Sequence, residues 1–108
     1  MNQAQHPVQT KAEVLARLRQ QQLALRALGV AQLGLFGSFV RDEATPASDV
    51  DVLVDFEDGR KTYRALCAVA DLLEETLGRR VEILTRAGLS PFIGPHILNT
   101  LEDVLTAA

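Results

Sequence analysis

Residues 35–54 read LFGSFVRDEATPASDVDVLV, and this stretch decides the fold. Its first residues end a run of strand-forming side chains, 30–36, which leads directly into Gly37-Ser38 and so predicts a strand followed by a tight turn. Valine at every second position from Val50 predicts another strand over 48–56. The ten residues between the two motifs include Pro46 and small polar side chains, which predicts a short helix or a loop.

The second strand is expected to carry carboxylates on one face. A period of two places Asp49, Asp51 and Asp55 on the face opposite to Val50, Val52, Val54 and Phe56. The Cα atoms of Asp49 and Asp51 should be roughly 6.5 to 7 Å apart, so both side chains can reach one cation. Two such carboxylates repel each other, and a divalent metal relieves that repulsion.

A phosphate-bearing ligand fits this pattern of residues. Mg²⁺ takes oxygen ligands and is usually held by one or two carboxylates together with substrate phosphates. Gly37-Ser38 offers a turn at which backbone N–H groups can approach a phosphate. Each motif alone has a simpler alternative, since Gly-Ser is often only a turn and Asp-x-Asp is often a solvated edge strand.

Helices are predicted around these strands. Thr10 and Glu13 form a capping-box pattern, which predicts a helix that begins there and continues to a glycine cap at Gly29. A second amphipathic helix should cover 66–77 and end at Gly78. A further helix should begin at Gly94-Pro95 and bury the stripe formed by Ile97, Leu98, Leu101, Val104 and Leu105.

A third strand is predicted over 79–85. Val81 and Ile83 would face away from Glu82, which could then join the acidic face. The order helix, strand, strand, helix, strand, helix indicates an α/β or α+β domain of two layers, with the strand order left open.

Length and composition limit the classes of function. The 108 residues predict one domain over 1–108, with 1–9 expected to be flexible, and a net charge of -3 disfavours nonspecific binding to nucleic acid. No apolar stretch approaches the roughly 20 residues that span a bilayer, which argues against a membrane protein. A single cysteine, Cys67, and the lack of a signal-like N-terminus indicate the cytoplasm. His6, His96 and Cys67 lack partners at metal-ligand spacing and are interpreted as ordinary surface or packed residues.

Gly37-Ser38, ten intervening residues and Asp49-x-Asp51 together resemble the GSx10DxD motif of DNA polymerase β-like nucleotidyltransferases. The likeness continues through residues 77–85, LGRRVEILT, and is greatest to the minimal nucleotidyltransferases. It implies a small mixed sheet packed on helices, two catalytic Mg²⁺ ions held by Asp49, Asp51 and a third carboxylate at Glu82, and the ATP triphosphate bound at Gly37-Ser38.

Two positions leave alternatives open. Glu82 stands where the family usually has aspartate, and its alternative is a solvated residue beside Arg80 on an edge strand. Arg41 would contact phosphate oxygens bidentately, and its alternative is an ion pair with Asp42 or Glu43. Both residues are nevertheless included in the expected site.

The resemblance also implies a biological role. Minimal nucleotidyltransferases act as antitoxins that transfer AMP from ATP to a tyrosine hydroxyl of a HEPN ribonuclease toxin, so a hetero-oligomer with such a toxin is expected. One alternative is an antitoxin that only binds and occludes its toxin. Another is a transferase for a small molecule such as an aminoglycoside, which is disfavoured because larger relatives use an added helical domain to hold nucleoside and acceptor. The acceptor residue, the nucleotide base and the number of transfers leave no trace in the sequence.

Overall fold

The structure is a computed structural model that describes residues 6–105. The described chain contains, in order, α1 (Lys11–Gln20), α2 (Gln22–Ala27), β1 (Val30–Phe36), β2 (Val50–Phe56), α3 (Tyr63–Leu77), β3 (Val81–Leu84), a 3₁₀ turn (Arg86–Gly88), α4 (Gly94–Thr100) and β4 (Glu102–Leu105).

The strands form one mixed sheet in the order β3-β2-β1-β4. β1 pairs antiparallel with both β2 and β4, whereas β2 and β3 are parallel and are connected by α3, since parallel neighbours need a crossover. Phe36 lies opposite Asp51, and Asp51 lies opposite Glu82. The expected small mixed sheet packed on helices is thus confirmed, and its register aligns Asp51 with Glu82 on one side and with the end of β1, next to Gly37, on the other.

One face of the sheet packs against the helices. Val50, Val52 and Val54 are fully buried there, as the two-residue period predicts. Burying each side chain of this kind stabilises the fold by about 1.5 to 3 kcal/mol. The helical residues of the same core cluster are Val14, Leu15 and Leu18 from α1, Leu25 from α2, and Val69, Leu73 and Leu77 from α3.

The opposite face is acidic only in part. Leu53 lies between Asp51 and Asp55 on this face and is 1% exposed. It packs with Phe36 and with Ile97 of α4, so a second, smaller apolar cluster interrupts the acidic row. Asp55 is separated from the other carboxylates and pairs with Arg86, with 2.8 Å between Asp55 Oδ2 and Arg86 Nε.

The first predicted helix is divided in two. Its start is confirmed, because Thr10 Oγ1 accepts the Glu13 N–H and the Glu13 carboxylate accepts the Thr10 N–H. The helix breaks at Gln21, whose φ and ψ are -97° and 14°. No glycine or proline marks this break in the sequence. After the break, Leu25 is the buried residue of α2, whereas Leu23 is 85% exposed.

The prediction that the last helix continues to Leu105 is wrong. α4 ends at Thr100, and residues 102–105 form β4 on the otherwise open edge of β1. Gly34 of β1 makes the approach possible, since a Cβ there would lie only 2.6 Å from Cγ of Leu101. Pairing with this edge satisfies backbone groups that a continued helix would leave open.

The N-terminal segment is fixed to the core at Val8. This side chain is fully buried, and the Val8 N–H donates to the Leu77 carbonyl at 3.0 Å. The expected flexible segment therefore does not extend to Val8, and its first five residues lie outside the described part of the chain. Between residues 6 and 105 no helix is both long and apolar enough to cross a bilayer.

Candidate active site

The Gly37 turn lies directly against the carboxylate of Asp51. β1 ends at Phe36, and Gly37 has a φ of +83°, a region that side chains rarely adopt. A Cβ on Gly37 would be 2.2 Å from Asp51 Oδ2 and 3.1 Å from its Cγ. Any larger residue would therefore displace the carboxylate, and the absence of a side chain brings the turn and Asp51 together.

The turn after Gly37 is compact. The Val40 N–H donates to the Gly37 carbonyl at 3.2 Å, and the Glu43 N–H donates to the Ser38 carbonyl at 2.9 Å. Phe39 anchors the turn, since its side chain is 1% exposed. These bonds hold the backbone around Ser38 in a fixed shape beside the acidic strand.

Asp42 attaches the far side of the turn to the first helix. It has a φ of +53°, an uncommon value for a residue with a side chain. Its Oδ1 accepts the N–H of Lys11 at 2.9 Å, one of the donors that a helix start leaves unpaired. The negative charge of Asp42 also suits the positive end of that helix.

A second tight loop leads into Asp49. Ser48 Oγ accepts the Thr45 N–H at 2.8 Å, and the Ser48 N–H donates to the Thr45 carbonyl at 3.0 Å. Ser48 thus closes the loop. The Val50 N–H then bonds to the Arg80 carbonyl at 3.0 Å, which starts the pairing of β2 with β3.

Three carboxylates influence one another at this end of the sheet. The pKa of Asp51 is raised from 3.8 to about 6, first by burial, then by the charge of Glu82 and a hydrogen bond with its side chain, and then by the charge of Asp49. Arg41 acts in the opposite direction and lowers this pKa. The site therefore has an excess of negative charge that one guanidinium offsets only in part.

This set of donors fits Mg²⁺ acting together with a phosphate ligand. Among residues 6–105 no three His, Cys, Asp or Glu side chains form a closed metal-binding cluster. Mg²⁺ does not need one, because it commonly takes one or two carboxylates and completes its shell with water and substrate phosphates. Asp49, Asp51 and Glu82 supply hard oxygen donors, and the Gly37 turn lies beside them.

The nucleotidyltransferase domain family model matches residues 13–104, which contain the whole sheet apart from Leu105. The chain belongs to the nucleotidyltransferase domain family. The two motifs that meet at Gly37 and Asp51 are thus parts of a nucleotidyltransferase, and the chain is an enzyme of that class.

Curated relatives and solved structures agree with this assignment. Protein adenylyltransferase MntA of Thermococcus cleftensis is 40% identical over 70 residues, which cover 65% of this chain and 70% of the relative. A Methanocaldococcus jannaschii protein with the provisional name protein adenylyltransferase is 40% identical over 77 residues, or 71% of this chain and 82% of its own. A solved structure described provisionally as a minimal nucleotidyltransferase has a TM-score of 0.65 and 35% identity, covering 82% of this chain and 92% of its own.

A more distant solved structure shows the same fold. It is a toxin–antitoxin crystallised with AMP-PNP, with a TM-score of 0.62 and 17% identity, and it covers 90% of this chain and 73% of its own. At this identity the likeness supports the architecture of the nucleotidyltransferase.

Arg41 and Glu82, for which the sequence leaves alternatives open, have different surroundings in this nucleotidyltransferase. Arg41 forms the alternative ion pair, with its Nε 2.7 Å from Glu43 Oε1, and both side chains are more than half exposed. Glu82 is exposed on the edge strand β3, as its alternative expects, and it also lies opposite Asp51 and raises the pKa of that carboxyl. Whether either binds metal or phosphate stays a prediction.

Sequence reasoning missed Arg79 and Phe39. Both lie next to residues of the matched motifs, yet their contacts are made with segments more than 30 residues away. No local pattern in the sequence could have identified them, because the burial of Phe39 and the bonds of Arg79, which precedes β3, appear only in the fold.

The contribution of Asp51 to the stability of the metal-free nucleotidyltransferase should fall as pH rises from about 4 to 6. The folded protein holds a proton on Asp51 up to a pKa of about 6, whereas the unfolded chain releases it near 3.8. The folded state therefore binds more protons in this window, and ionisation of Asp51 costs stability above it. After allowance for solvent screening we expect a cost of about 1 to 2 kcal/mol.

Urea denaturation in EDTA at pH 5 and pH 7.5 measures this effect. Other carboxylates also titrate, so the informative quantity is the difference between wild type and Asp51→Asn at each pH. The variant should be more stable than wild type at pH 7.5 and should keep only about half of that advantage at pH 5, in the middle of the titration window. An equal difference at both pH values would refute the assignment.

Proposed function

We propose that the protein is a Mg²⁺-dependent protein adenylyltransferase that moves AMP from ATP to a hydroxyl of a partner protein. The observation that carries the proposal is the contact between the Gly37 turn and the Asp51 carboxylate, with Glu82 on the neighbouring strand. In this arrangement a turn suited to binding phosphate lies beside carboxylates suited to binding a metal. The relatives named as protein adenylyltransferases support a protein as the acceptor.

Different residues of the site would bind the metal ions and the nucleotide. Asp49, Asp51 and Glu82 would hold two Mg²⁺ ions, and Gly37-Ser38 would hold the triphosphate. The chemistry that Mg²⁺ supplies when bound is neutralisation of phosphate charge and a lower pKa for the attacking hydroxyl. Arg41, whose charge already acts on Asp51, is free to exchange its exposed partner Glu43 for a phosphate oxygen.

The transfer itself is a displacement at the α-phosphorus. A new bond forms between the acceptor oxygen and the α-phosphorus, the bond from that phosphorus to the β-bridging oxygen breaks, and pyrophosphate leaves. The acceptor hydroxyl would give its proton to the carboxylate of Asp51 or Glu82, from which it passes to solvent. Positioning and charge neutralisation account for most of the catalysis in such reactions.

The partner is proposed to be a HEPN ribonuclease toxin, with a tyrosine as acceptor and a hetero-oligomer as the working assembly. A toxin–antitoxin with the same fold supports a toxin as the partner, whereas the HEPN class rests on the resemblance of the sequence to the minimal nucleotidyltransferases. Exposure of Glu82 leaves one side of the site accessible to a macromolecular acceptor. A formal charge of -3 gives no support for direct nucleic-acid binding. The proposed need for ATP supports the cytoplasm as the compartment of the reaction.

The test is the intact mass of the toxin after incubation with the protein, ATP and Mg²⁺. We expect increments of one AMP with wild type, none with Asp49→Asn, and wild-type increments with Asp55→Asn, whose carboxylate pairs with Arg86 away from the site. Tight binding of an unmodified toxin by wild type would instead show that neutralisation occurs by occlusion. Peptide mapping of the modified toxin then identifies the acceptor residue.

A further inference from the structure

Arg79 connects three segments around the acidic site. It follows Gly78, the left-handed cap of α3, and precedes β3. Its Nε donates to the Val8 carbonyl at 2.6 Å. Val8 in turn donates its N–H to Leu77 at 3.0 Å, so both backbone groups of this buried residue are paired next to Arg79.

The other end of the guanidinium holds the loop that leads into Asp49. Nη1 of Arg79 donates to the carbonyl oxygens of Thr45 and Ser48, each at 2.9 Å, and more weakly to that of Pro46 at 3.3 Å. The N–H groups of this loop bond to its own side chains and carbonyls. Arg79 therefore binds three carbonyl oxygens of the loop, of which that of Thr45 also accepts the Ser48 N–H.

The face of the same guanidinium lies over Phe39. Cζ of Arg79 is 5.0 Å from the centre of the ring, within the range of a cation–π interaction. Phe39 comes directly after Gly37-Ser38 and is almost fully buried. One side chain thus contacts the turn proposed to bind the triphosphate and the loop that carries the first metal-binding aspartate.

These contacts require arginine. A guanidinium is planar and has five N–H donors in a fixed arrangement, so it can bond at its edge while its face lies on an aromatic ring. A lysine ammonium has the same charge but cannot meet carbonyls on two sides and cover the ring. The contacts of Arg79 therefore depend on the planar shape of the guanidinium as well as on its charge.

We propose that Arg79 is a positioning residue for nucleotidyl transfer, which fixes the Gly37-Ser38 turn relative to Asp49 through Phe39 and the 45–48 loop. The proposal rests on the proposed function, because it assumes that these two elements bind one metal–nucleotide complex. Loss of residues that orient metal ligands commonly lowers metal affinity or activity by about 10 to 100-fold. Arg79 is expected to have an effect of that size without contacting the nucleotide.

The experiment measures binding of Mn²⁺ with an ATP analogue that has a methylene group between its α- and β-phosphates, by electron paramagnetic resonance. Arg79→Lys and Arg79→Ala should each weaken Mn²⁺–nucleotide binding by about 10 to 100-fold. Arg17→Ala is the matched control, since Arg17 also donates to backbone carbonyls, those of His6 and Thr76, and has no contact with the 45–48 loop among its described bonds. This control should bind as wild type does.

The outcomes separate the two proposals. Wild-type affinity in folded Arg79→Lys would overturn the positioning role, as would an equal loss in Arg17→Ala. Should Arg79→Ala fail to fold, Arg79→Lys and Phe39→Leu carry the test, because each removes part of the contact and keeps most of the volume of the side chain. A wild-type protein that binds no Mn²⁺–nucleotide complex would overturn the proposed function itself.

Discussion

Replacing Asp51 by asparagine is expected to lower the rate of AMP transfer by about 10² to 10³-fold, the usual loss when one preorganised electrostatic contact to a transition state is removed. The reason is its central place, opposite both Phe36 at the end of β1 and Glu82 on β3. Asparagine keeps the shape of the side chain and removes the charge that a metal needs. The measurement is the single-turnover rate of toxin modification at saturating ATP and Mg²⁺.

Asp55→Asn is the matched control for this substitution. Asp55 is on the same strand and the same face, but its carboxylate pairs with Arg86, so transfer should proceed at the wild-type rate. Because Asp51→Asn is also expected to stabilise the metal-free protein above pH 6, lost activity cannot be attributed to unfolding. A rate for Asp51→Asn within threefold of wild type would contradict its role.

Replacing Gly37 by alanine should have the second largest effect. The new methyl group would lie 2.2 Å from Asp51 Oδ2, so the carboxylate has to move away from the turn. A displacement of about 1 Å at a reacting centre can cost about 10²-fold in rate. The positive φ of Gly37 adds a loss of stability of about 1 to 2 kcal/mol. Transfer rate and urea denaturation measure the two effects separately.

Gly59→Ala is the control that distinguishes the effect of backbone strain from the effect of a contact with Asp51. Gly59 has a φ of +77°, close to that of Gly37, but a Cβ there would meet nothing within 4 Å. This variant should lose similar stability and keep the wild-type rate of transfer. If both alanine variants lose activity equally, backbone strain explains the result and the contact with Asp51 does not.

The parts of the site that were predictable from sequence depend on short-range patterns. The two-residue period around Asp51 determines which face of the sheet each side chain of β2 occupies. The glycine after β1 indicates a turn, whichever strands β1 pairs with. The antiparallel pairing of β1 with β2 then brings the two motifs together, because the residues that connect the two strands form a short loop.

The parts that were missed depend on contacts between distant segments. β4 forms because β1 has an open edge and a glycine at position 34 that leaves room for Leu101, and neither fact is visible in residues 102–105. Leu53 is buried on the acidic face because it packs with Phe36 of β1 and Ile97 of α4. Arg79 has no local pattern at all, since its bonding partners are carbonyl oxygens of segments far away in sequence.

The most direct test of the account is the position of the phosphorus that is transferred from ATP. The protein and its proposed toxin partner are incubated with Mg²⁺ and ATP labelled either at the α- or at the γ-phosphate, and the label on the partner is counted. Nucleotidyl transfer predicts that the α-label is incorporated, that the γ-label leaves as pyrophosphate, and that Asp49→Asn abolishes incorporation. Incorporation of the γ-label, or α-labelling that persists in Asp49→Asn, would contradict the account.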